Sequence, residues 1–506
     1  MKQLKLPSYH LFEHKGLYFA FDVEKVVALR IDRPAYDFLE AMQASGSAEE
    51  AMERLTDRYE ADVLSQLAQE VAALQGQGYL VGPVTGPDEE DFEQLIARLV
   101  KKSTGNIELY LAEACNMRCK YCYVGENDAL HNGLMPSEVA RAAVDLVFRR
   151  SRGVPNIQIT FFGGEPLLNK PVMREVIAYS QMLGQQHGKT VRYSLTTNAT
   201  LLDDEVIGYI KQYNFGLMIS LDGPPEIQNE MRPMADGSGS FDQVARNVKR
   251  LMRRRKRVTV RCTISNRHLN LVDIVEFLEG FGFTRVGLSR CDGKSYRTGE
   301  YDIGPEEYAL LEEQYERLLE RYLRQIEQGE ELRFDQFTGG AKGMHKPERA
   351  PLLRCGVCRG CTTVGVDGKL YPCHRYVGME KYVVGDVWTG VDEQKHADYL
   401  REYFKTKKKC ETCWAIHYCG GMCPWFVSHE DGTSRPPKEW RCEGIRRSLQ
   451  RSAWLHEYLR ENHPEFFASV VADYDERELI SRGEPTAVRR AGAGTLTPKV
   501  DTDEHG

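Results

Sequence analysis

The sequence lacks both a long hydrophobic run and a strong excess of charge of either sign. Its 506 residues hold no apolar stretch of the roughly 18 residues that a membrane span requires. The first residues, MKQLKLPSYHLFEHKG, lack the apolar core of a signal peptide. Lysine and arginine total 67 against 74 aspartate and glutamate, a net charge of −7, which gives no support for nucleic-acid or anionic membrane binding. We therefore expect a cytoplasmic protein with no nucleic acid and no membrane as partner.

Cysteine is scarce along most of the chain and concentrated in two short zones. Of 14 cysteines, three lie between Cys115 and Cys122 and nine between Cys355 and Cys442. In a reducing compartment such clusters bind metal more often than they form disulfides, because cellular thiols keep cysteines reduced. The remaining two, Cys262 and Cys291, are expected to be small core residues. The pattern predicts thiolate-bound metal in both zones.

The first 85 residues predict a small module of three strands and three helices. Period-two alternation in YHLFEHKGLYFAFDVEKVVALRID predicts an antiparallel meander. Helical spacing follows, with Asp32 and Ser47 as N-caps and Gly76 or Gly78 as a stop. Residues 86–105, which begin GPVTGPDEED, predict a linker.

Residues 106–330 predict an α/β domain. Six strand-like runs alternate with amphipathic helices, namely IELYLAE, IQITFFGG, RYSLTTN, GLMISLDG, RVTVRCTIS and TRVGLSR. Successive βαβ units predict a parallel sheet curled into a partial, TIM-like (β/α)6 barrel, with ligand sites at the carboxyl ends of its strands. Residues 331–455 predict a cysteine-rich domain that needs bound metal. Residues 456–506 predict a helical tail ending in disorder from Gly483.

The first cysteine zone, CNMRCKYC, directly follows the first of these strands. Three thiolates at Cys115, Cys119 and Cys122 can bind three irons of a [4Fe-4S] cluster and leave the fourth iron open. A zinc knuckle is the alternative, but zinc prefers four closed ligands and the loop contains no histidine. With Tyr121 inside it, this loop resembles the signature of the radical S-adenosylmethionine (SAM) superfamily.

Later strand ends match the same superfamily in chain order. The motifs are GGEP, TTN and SLDG, with an arginine twelve residues after Ser220. The resemblance implies that GGEP binds the methionyl amine of SAM, that TTN contacts the ribose side, and that Ser220 and Arg232 bind the methionine carboxylate. Taken singly, Ser220, Asp222 and Arg232 are more often turn and surface residues, and their order favours the functional interpretation. The implied cofactor-binding residues are Tyr121, Gly163, Gly164, Glu165, Pro166, Thr197, Asn198, Ser220, Asp222 and Arg232, and the implied catalytic residues are Cys115, Cys119, Cys122 and Arg232.

The second cysteine zone resembles the SPASM extension of radical enzymes that modify peptides and proteins. That resemblance implies two auxiliary [4Fe-4S] clusters, so that SAM and three clusters are the expected cofactors. One set of ligands would be Cys355, Cys361, Cys373 and Cys423, and the other Cys410, Cys413, Cys419 and Cys442. Cys358 could exchange roles with Cys355. A pair of zinc ribbons is the alternative that the C-x2-C spacing alone allows.

The N-terminal module resembles the winged-helix-like peptide-recognition element of enzymes that mature ribosomally made peptides. The resemblance implies a precursor peptide as partner, whose leader adds a strand to a sheet edge, and a flavodoxin- or ferredoxin-type electron donor. It implies a peptide maturase, for which we favour thioether formation through a 5'-deoxyadenosyl radical.

Several alternatives stay open. Carbon-carbon crosslinking and the maturation of a quinone cofactor or a quinohemoprotein subunit use the same parts. A multi-cluster electron-transfer protein and a zinc-ribbon interaction module are alternatives from other classes, but an electron carrier does not need GGEP or the Ser220 and Arg232 pair. His374 stands where sulfatase-maturing members carry an acidic base, which argues against that subfamily. The basic run at residues 249–257 predicts the solvated end of a helix.

Overall fold

The structure is a computed structural model that describes residues 5–6, 8–81, 84–85, 89–123, 133–291, 299–334, 336–345, 361–428 and 433–472. Its N-terminal part contains the predicted meander and helices. The elements are β1 (Lys5–Leu6), β2 (Tyr9–His14), β3 (Leu17–Asp22), β4 (Val27–Ile31), α1 (Arg33–Ser45), α2 (Ala48–Leu55), α3 (Ala61–Gly76) and β5 (Val84–Thr85). Strands β2, β3 and β4 form an antiparallel sheet in that order, and β1 pairs with β5. The predicted caps are confirmed, since the side chains of Asp32 and Ser47 accept hydrogen bonds from the amides of Ala35 and Glu50.

This N-terminal sheet is buried on both faces. Ala20 packs with the three helices in one core, whereas Phe19 and Phe21 belong to the main core of the chain. The alternation follows from the two-residue period of a strand. The N-terminal module therefore packs one face of its sheet against its own helices and the other face against the main core of the protein.

The predicted linker contains a helix, α4 (Glu89–Val100). Its apolar residues recur at helical spacing, and Ile96 and Leu99 share a small core with Leu400, Tyr403 and Phe404. The stretch thus packs against the cysteine-rich region, because an amphipathic helix buries its apolar stripe against an available partner surface.

Residues 106–290 form the predicted parallel sheet with its helices. The elements are β6 (Asn106–Ala112), α5 (Ser137–Arg150), β7 (Asn156–Gly163), α6 (Lys170–His187), β8 (Thr190–Thr197), α7 (Asp204–Gln212), β9 (Gly216–Ser220), α8 (Pro225–Met231), α9 (Phe241–Met252), β10 (Thr259–Ile264), α10 (Leu271–Phe281) and β11 (Arg285–Arg290). All neighbouring strands from β6 to β11 pair in parallel. The α/β fold class and the TIM-like parallel sheet are confirmed. The basic run lies at the end of α9, as predicted.

The cysteine-rich region extends this same sheet to eight strands. The described elements that follow β11 are α11 (Pro305–Glu327), α12 (Gln336–His345), β12 (Cys361–Val364), β13 (Leu370–Tyr371), β14 (Gly385–Asp386), β15 (Gly390–Val391), α13 (Glu393–Lys405), α14 (Ile416–Cys419), α15 (Pro424–Val427) and α16 (Glu439–Asn462). Strand β12 pairs in parallel with β6, and β13 pairs antiparallel with β12. The second cysteine zone is therefore anchored at the edge of the sheet where the first zone begins.

Two sequence predictions concern buried cysteines and the chain end. Cys262 and Cys291 are buried, as expected for small core residues. The predicted disorder from Gly483 lies outside the described residues. Among the described helices, none combines the length and apolar character needed to cross a bilayer.

Candidate functional site

The cysteine loop after β6 is held by the segment that follows α8. The amides of Arg118 and Lys120 donate to the carbonyls of Pro233 and Met231, at 2.8 and 2.9 Å, and the Ala235 amide donates to the Asn116 carbonyl at 2.9 Å. All three cysteines of the loop are half-buried. These backbone bonds bring the neighbourhood of Arg232 against the loop, although more than a hundred residues separate them in sequence.

The glycines of GGEP let β7 approach the cysteine loop closely. A Cβ on Gly163 would lie 2.3 Å from the Ala112 carbonyl oxygen, and one on Gly164 would lie 2.6 Å from that of Ala114. Gly163 also has φ +142°, a backbone conformation that side chains disfavour. Both positions therefore require glycine, and the strand end and the loop form one surface.

Glu165 is a fully buried carboxylate at the centre of this surface. It accepts hydrogen bonds from the Leu167 amide at 3.0 Å, the Thr197 hydroxyl at 2.7 Å and the Asn198 amide at 2.8 Å. Burial raises its pKa to about 7 in spite of these donors. A carboxylate has about four acceptor directions, so Glu165 can still accept a bond from an ammonium group.

Asn198 links the third strand end to the cysteine loop. Its side-chain amide donates to Asn116 Oδ1 at 3.0 Å and lies 3.9 Å from Cys115 Sγ. Asn116 Nδ2 in turn donates to Thr200 Oγ1 at 2.8 Å. Sequence reasoning did not single out Asn116 and Thr200, which lie within and beside motifs that it had found.

Arg232 is buried in an ion pair with Asp222. Arg232 Nε lies 2.9 Å from Asp222 Oδ2, and its Nη1 lies 3.9 Å from Cys119 Sγ. The Tyr121 hydroxyl donates to the same carboxylate, and the Tyr121 ring lies under the guanidinium. Ser220, the other residue expected to bind the methionine carboxylate, makes no side-chain hydrogen bond within the described ranges and is half-buried. The arrangement aims a fixed guanidinium at the cysteine loop.

These residues fit an iron-sulfur cluster with SAM beside it. Burial raises the pKa of Cys115 to about 12, so binding a metal is what would keep this thiolate charged. In the described residues, no three side chains of the ligand-forming types are arranged to hold a single metal ion. The thiolates of an iron-sulfur cluster are spaced more widely than the ligands of a single ion, because each thiolate binds a different iron. A buried carboxylate and a buried guanidinium then remain for the amine and the carboxylate of the methionine group.

Comparison with known families agrees with this geometry. The model of the Radical SAM superfamily matches residues 109–281, which run from β6 to α10 and include the cysteine loop and every strand-end motif. This segment is a radical SAM domain. Domains of this superfamily use SAM and a [4Fe-4S] cluster, so the predicted SAM and first cluster follow from the match.

Two curated relatives, both named as anaerobic sulfatase-maturating enzymes, match a larger part of the chain than the radical SAM domain alone. The cysteine-type anaerobic sulfatase-maturating enzyme of Clostridium perfringens is 24% identical over 327 residues, which cover 62% of this chain and 86% of that protein. The serine-type anaerobic sulfatase-maturating enzyme of Bacteroides thetaiotaomicron is 22% identical over 412 residues, which cover 74% and 92%. A solved structure, native anSMEcpe with bound AdoMet and Cp18Cys peptide, has a TM-score of 0.57 at 20% identity and covers 69% of this chain and 96% of that one. At this identity the likeness establishes a shared fold.

Beyond the radical SAM domain, the structure brings four of the remaining cysteines together. Burial raises the pKa of Cys410 to about 11, and the thiols of Cys419, Cys413 and Cys442 add to the rise, whereas Lys407 lowers it. These four cysteines are the set that the SPASM resemblance implies. Their role as ligands stays a prediction.

The other predicted set is described in part. Cys373 and Cys423 pack against the same aromatic core, and both raise the pKa of Tyr376 after burial, which raises it most. Cys355 and Cys358 lie outside the described residues, as does the side chain of Cys361.

His374 connects this second set to the radical SAM domain. Its Nδ1 lies 3.0 Å from Oε1 of Glu108, which projects from β6 and also accepts from Thr363 Oγ1 at 2.8 Å. The His374 ring stacks on Phe162, with 4.2 Å between ring centroids, and lies 6.0 Å from Tyr123. Sequence reasoning missed Glu108, because a lone glutamate in a strand carries no motif.

Proposed function

We propose that this protein is a radical SAM maturase that modifies a ribosomally made peptide by forming a thioether between a cysteine sulfur and a carbon of another residue. The names of the relatives, which mature sulfatases, support a peptide or protein as substrate. At 22–24% identity the relatives do not determine the reaction. The argument for the reaction therefore uses residues of this chain.

The observation that carries the proposal is the position of Cys373 and His374. Phe162 immediately precedes the glycines of GGEP and Tyr123 immediately follows Cys122, and His374 contacts both rings. A cluster held at Cys373 would therefore adjoin the SAM site. An acceptor of electrons would then lie next to the substrate, as a reaction with net oxidation of the peptide requires.

The chemistry of a thioether accounts for every atom and electron. One C–H bond and one S–H bond of the peptide break, and one C–S bond forms. Bound SAM and its cluster supply a radical that takes the hydrogen atom, and the thiol loses a proton. The single electron left over needs an acceptor, and an auxiliary cluster held by Cys373 and Cys423 would serve as one, while a flavodoxin- or ferredoxin-type donor would supply the electron that starts the reaction. The peptide becomes about 2 Da lighter per crosslink, the mass of two hydrogens.

The N-terminal module supplies the proposed leader site. Its sheet has the order β2-β3-β4, so β4 is an edge strand among the described residues. An extended leader could pair with that edge through main-chain hydrogen bonds, with its alternate side chains setting the register.

The experiment is anaerobic turnover with short cysteine-containing peptides encoded beside the gene. We expect a loss of about 2 Da per crosslink and a donor cysteine that resists alkylation after disulfide reduction. A mass loss with every cysteine still alkylatable would favour carbon-carbon crosslinking. SAM cleavage with no change in any peptide would count against the maturase proposal and favour a different substrate class. A matched leaderless peptide should be modified less efficiently, since its core must bind without the added strand.

A further inference from the structure

The turn after β8 contains a residue in a strained backbone conformation. Ala199 is fully buried and has φ +64°, in the left-handed region that a residue with a Cβ adopts only when its surroundings hold it there. The Ala199 amide donates to Thr197 Oγ1 at 3.0 Å, and the Thr200 amide donates to Asn198 Oδ1 at 3.0 Å. From α9, Asn247 Nδ2 donates to the carbonyls of Ala199 and Thr200 at 3.0 and 2.7 Å. Hydrogen bonds on two sides therefore hold this turn in its strained shape.

Three side chains close a ring of hydrogen bonds between this turn and the cysteine loop. Asn116 Nδ2 donates to Thr200 Oγ1 at 2.8 Å, the Thr200 hydroxyl donates to Asn198 Oδ1 at 2.6 Å, and Asn198 Nδ2 donates to Asn116 Oδ1 at 3.0 Å. The reverse direction would also make three bonds, but the Thr200 backbone amide requires an oxygen at the Oδ1 position of Asn198. The strained turn thus sets the direction of the whole ring.

This direction points an N–H of Asn198 toward Cys115. A side-chain amide nitrogen carries two hydrogens, and Asn116 accepts one of them. The same nitrogen lies 3.9 Å from Cys115 Sγ, within reach of a hydrogen bond to sulfur. Asn198 and Thr200 are only 7% and 3% exposed, so water competes little for these bonds. In the reverse direction the Asn198 oxygen would stand in place of this nitrogen, and an oxygen would repel a thiolate.

A hydrogen bond to a thiolate that binds iron favours the reduced cluster. An added electron increases the negative charge on the sulfur, so a donor there stabilises the reduced state more than the oxidised state. The Met117 amide also donates to Cys115 Sγ, at 3.4 Å, but it belongs to the cysteine loop itself. Asn198 comes from another strand end, and its orientation depends on Asn116 and Thr200.

We propose that Asn116 and Thr200 are positioning residues that aim the Asn198 side-chain amide at Cys115 and thereby raise the reduction potential of the cluster bound by the first cysteine zone. A given electron donor then reduces this cluster more completely. The inference concerns the radical SAM domain, so it is independent of the substrate and of the thioether reaction proposed above.

The test is a redox titration of the reconstituted protein, followed by electron paramagnetic resonance. The signal to follow is the one absent from a protein in which the three cysteines of the first zone are replaced by Ala. Thr200→Val removes the hydroxyl at nearly constant shape. We expect the ratio of reduced to oxidised cluster, taken at the midpoint of the unaltered protein, to fall about threefold or more. Asn116→Ala should lower the ratio too, and Thr200→Ser, which keeps the hydroxyl, should restore it.

Asn247→Ala is the matched control. Asn247 binds the backbone of the same turn rather than the side chains of the ring. Its replacement should lower the free energy of unfolding of the apoprotein, measured by chemical denaturation, and leave the ratio of reduced to oxidised cluster unchanged.

Three outcomes would overturn the positioning role. They are an unchanged ratio in Thr200→Val, whether or not SAM binds more weakly, an equal fall of the ratio in Asn247→Ala, or a ratio in Thr200→Ser as low as that in Thr200→Val. If Thr200→Val takes up no cluster, Asn116→Ala decides by comparison with Asn247→Ala, because Asn116 lies outside the strained turn. The maturase proposal fails by a different signature, SAM cleavage without modification of any peptide.

Discussion

Asp222 contacts more residues of the site than its position in the SLDG motif suggests. It binds Arg232, Tyr121 and the Thr263 amide through its carboxylate, and its own amide donates to Gln228 Oε1. Fully buried charges are stable only when paired. We therefore propose that Asp222 acts on SAM indirectly, by fixing the guanidinium that faces the cysteine loop.

Replacing Asp222 by Ala should destabilise the protein by about 3 kcal/mol, because it leaves the Arg232 charge buried without its partner. Asp222→Asn, which keeps the shape, should cost less. Chemical denaturation of the apoprotein measures both. Asp204→Ala is the matched control, since Asp204 pairs with Arg254 on the surface at 3.1 Å and should cost less than about 1 kcal/mol. Equal costs for Asp222→Ala and Asp204→Ala would contradict this view of Asp222.

Replacing Cys115, Cys119 and Cys122 by Ala should abolish SAM cleavage and remove about four of some twelve irons, since each cluster holds four. Iron and sulfide analysis after anaerobic reconstitution gives the count, and chromatography gives 5'-deoxyadenosine. Cys291→Ala alters a buried cysteine outside both zones and should keep the full iron content. A preparation with only about four irons, or with zinc, would reject the two auxiliary clusters.

At the scale of elements, the end of β7 and the start of the cysteine loop are joined by backbone hydrogen bonds. Gly163 and Gly164 allow the Gly164 amide to donate to the Ala112 carbonyl at 2.8 Å and the Glu165 amide to the Ala114 carbonyl at 3.0 Å. Side chains there would force the two elements apart.

Gly163→Ala should therefore weaken SAM binding and lower stability together, because its Cβ would lie 2.3 Å from the Ala112 oxygen. Gly188→Ala is the matched control. Gly188 also has positive φ, +62°, but a Cβ there meets no atom within 4 Å, so its cost should be the backbone strain alone, about 1–2 kcal/mol. Equilibrium dialysis of SAM and thermal unfolding measure the two effects. If Gly163→Ala bound SAM normally, the close approach would not be needed for the site.

At the scale of the molecule, the N-terminal module is packed onto the second cysteine zone. Trp414, which follows Cys413, stacks on His10 with 4.0 Å between ring centroids, and its edge contacts Phe21. Deleting the first 85 residues would remove this contact and expose the part of the main core that Phe19 and Phe21 cover. A point substitution is thus a cleaner probe of how the module is coupled to the rest.

Trp414→Ala should lower the free energy of unfolding by about 2–3 kcal/mol, less than a fully buried tryptophan because Trp414 is half-buried. It should also make the chain more sensitive to limited proteolysis between the module and α4. Trp388→Ala is the control, since Trp388 is 60% exposed and should cost under about 0.5 kcal/mol. A Trp414→Ala protein as stable and protease-resistant as the control would mean that the module folds independently.

Sequence patterns predicted the local elements and the radical SAM motifs well, for physical reasons. Period-two and period-3.6 alternation report which side of each element is buried, and that is why β6 to β11 and the caps at Asp32 and Ser47 were found. The motifs were found because their chemistry needs fixed residue types at short spacing. Helix α4 was not predicted, because the glycine, proline and acidic residues at the start of this stretch are typical of a linker.

What the sequence determined by itself is the strand and helix pattern, the cysteine loop and the order of the strand-end motifs, all of which depend on residues close together in the chain. Only the tertiary structure decided that Arg232 is bound to Asp222 and that Glu108 meets His374. These contacts join residues separated by 10 to 266 positions. Their distances depend on how the sheet curls and where the cysteine-rich region docks, and no local pattern encodes that.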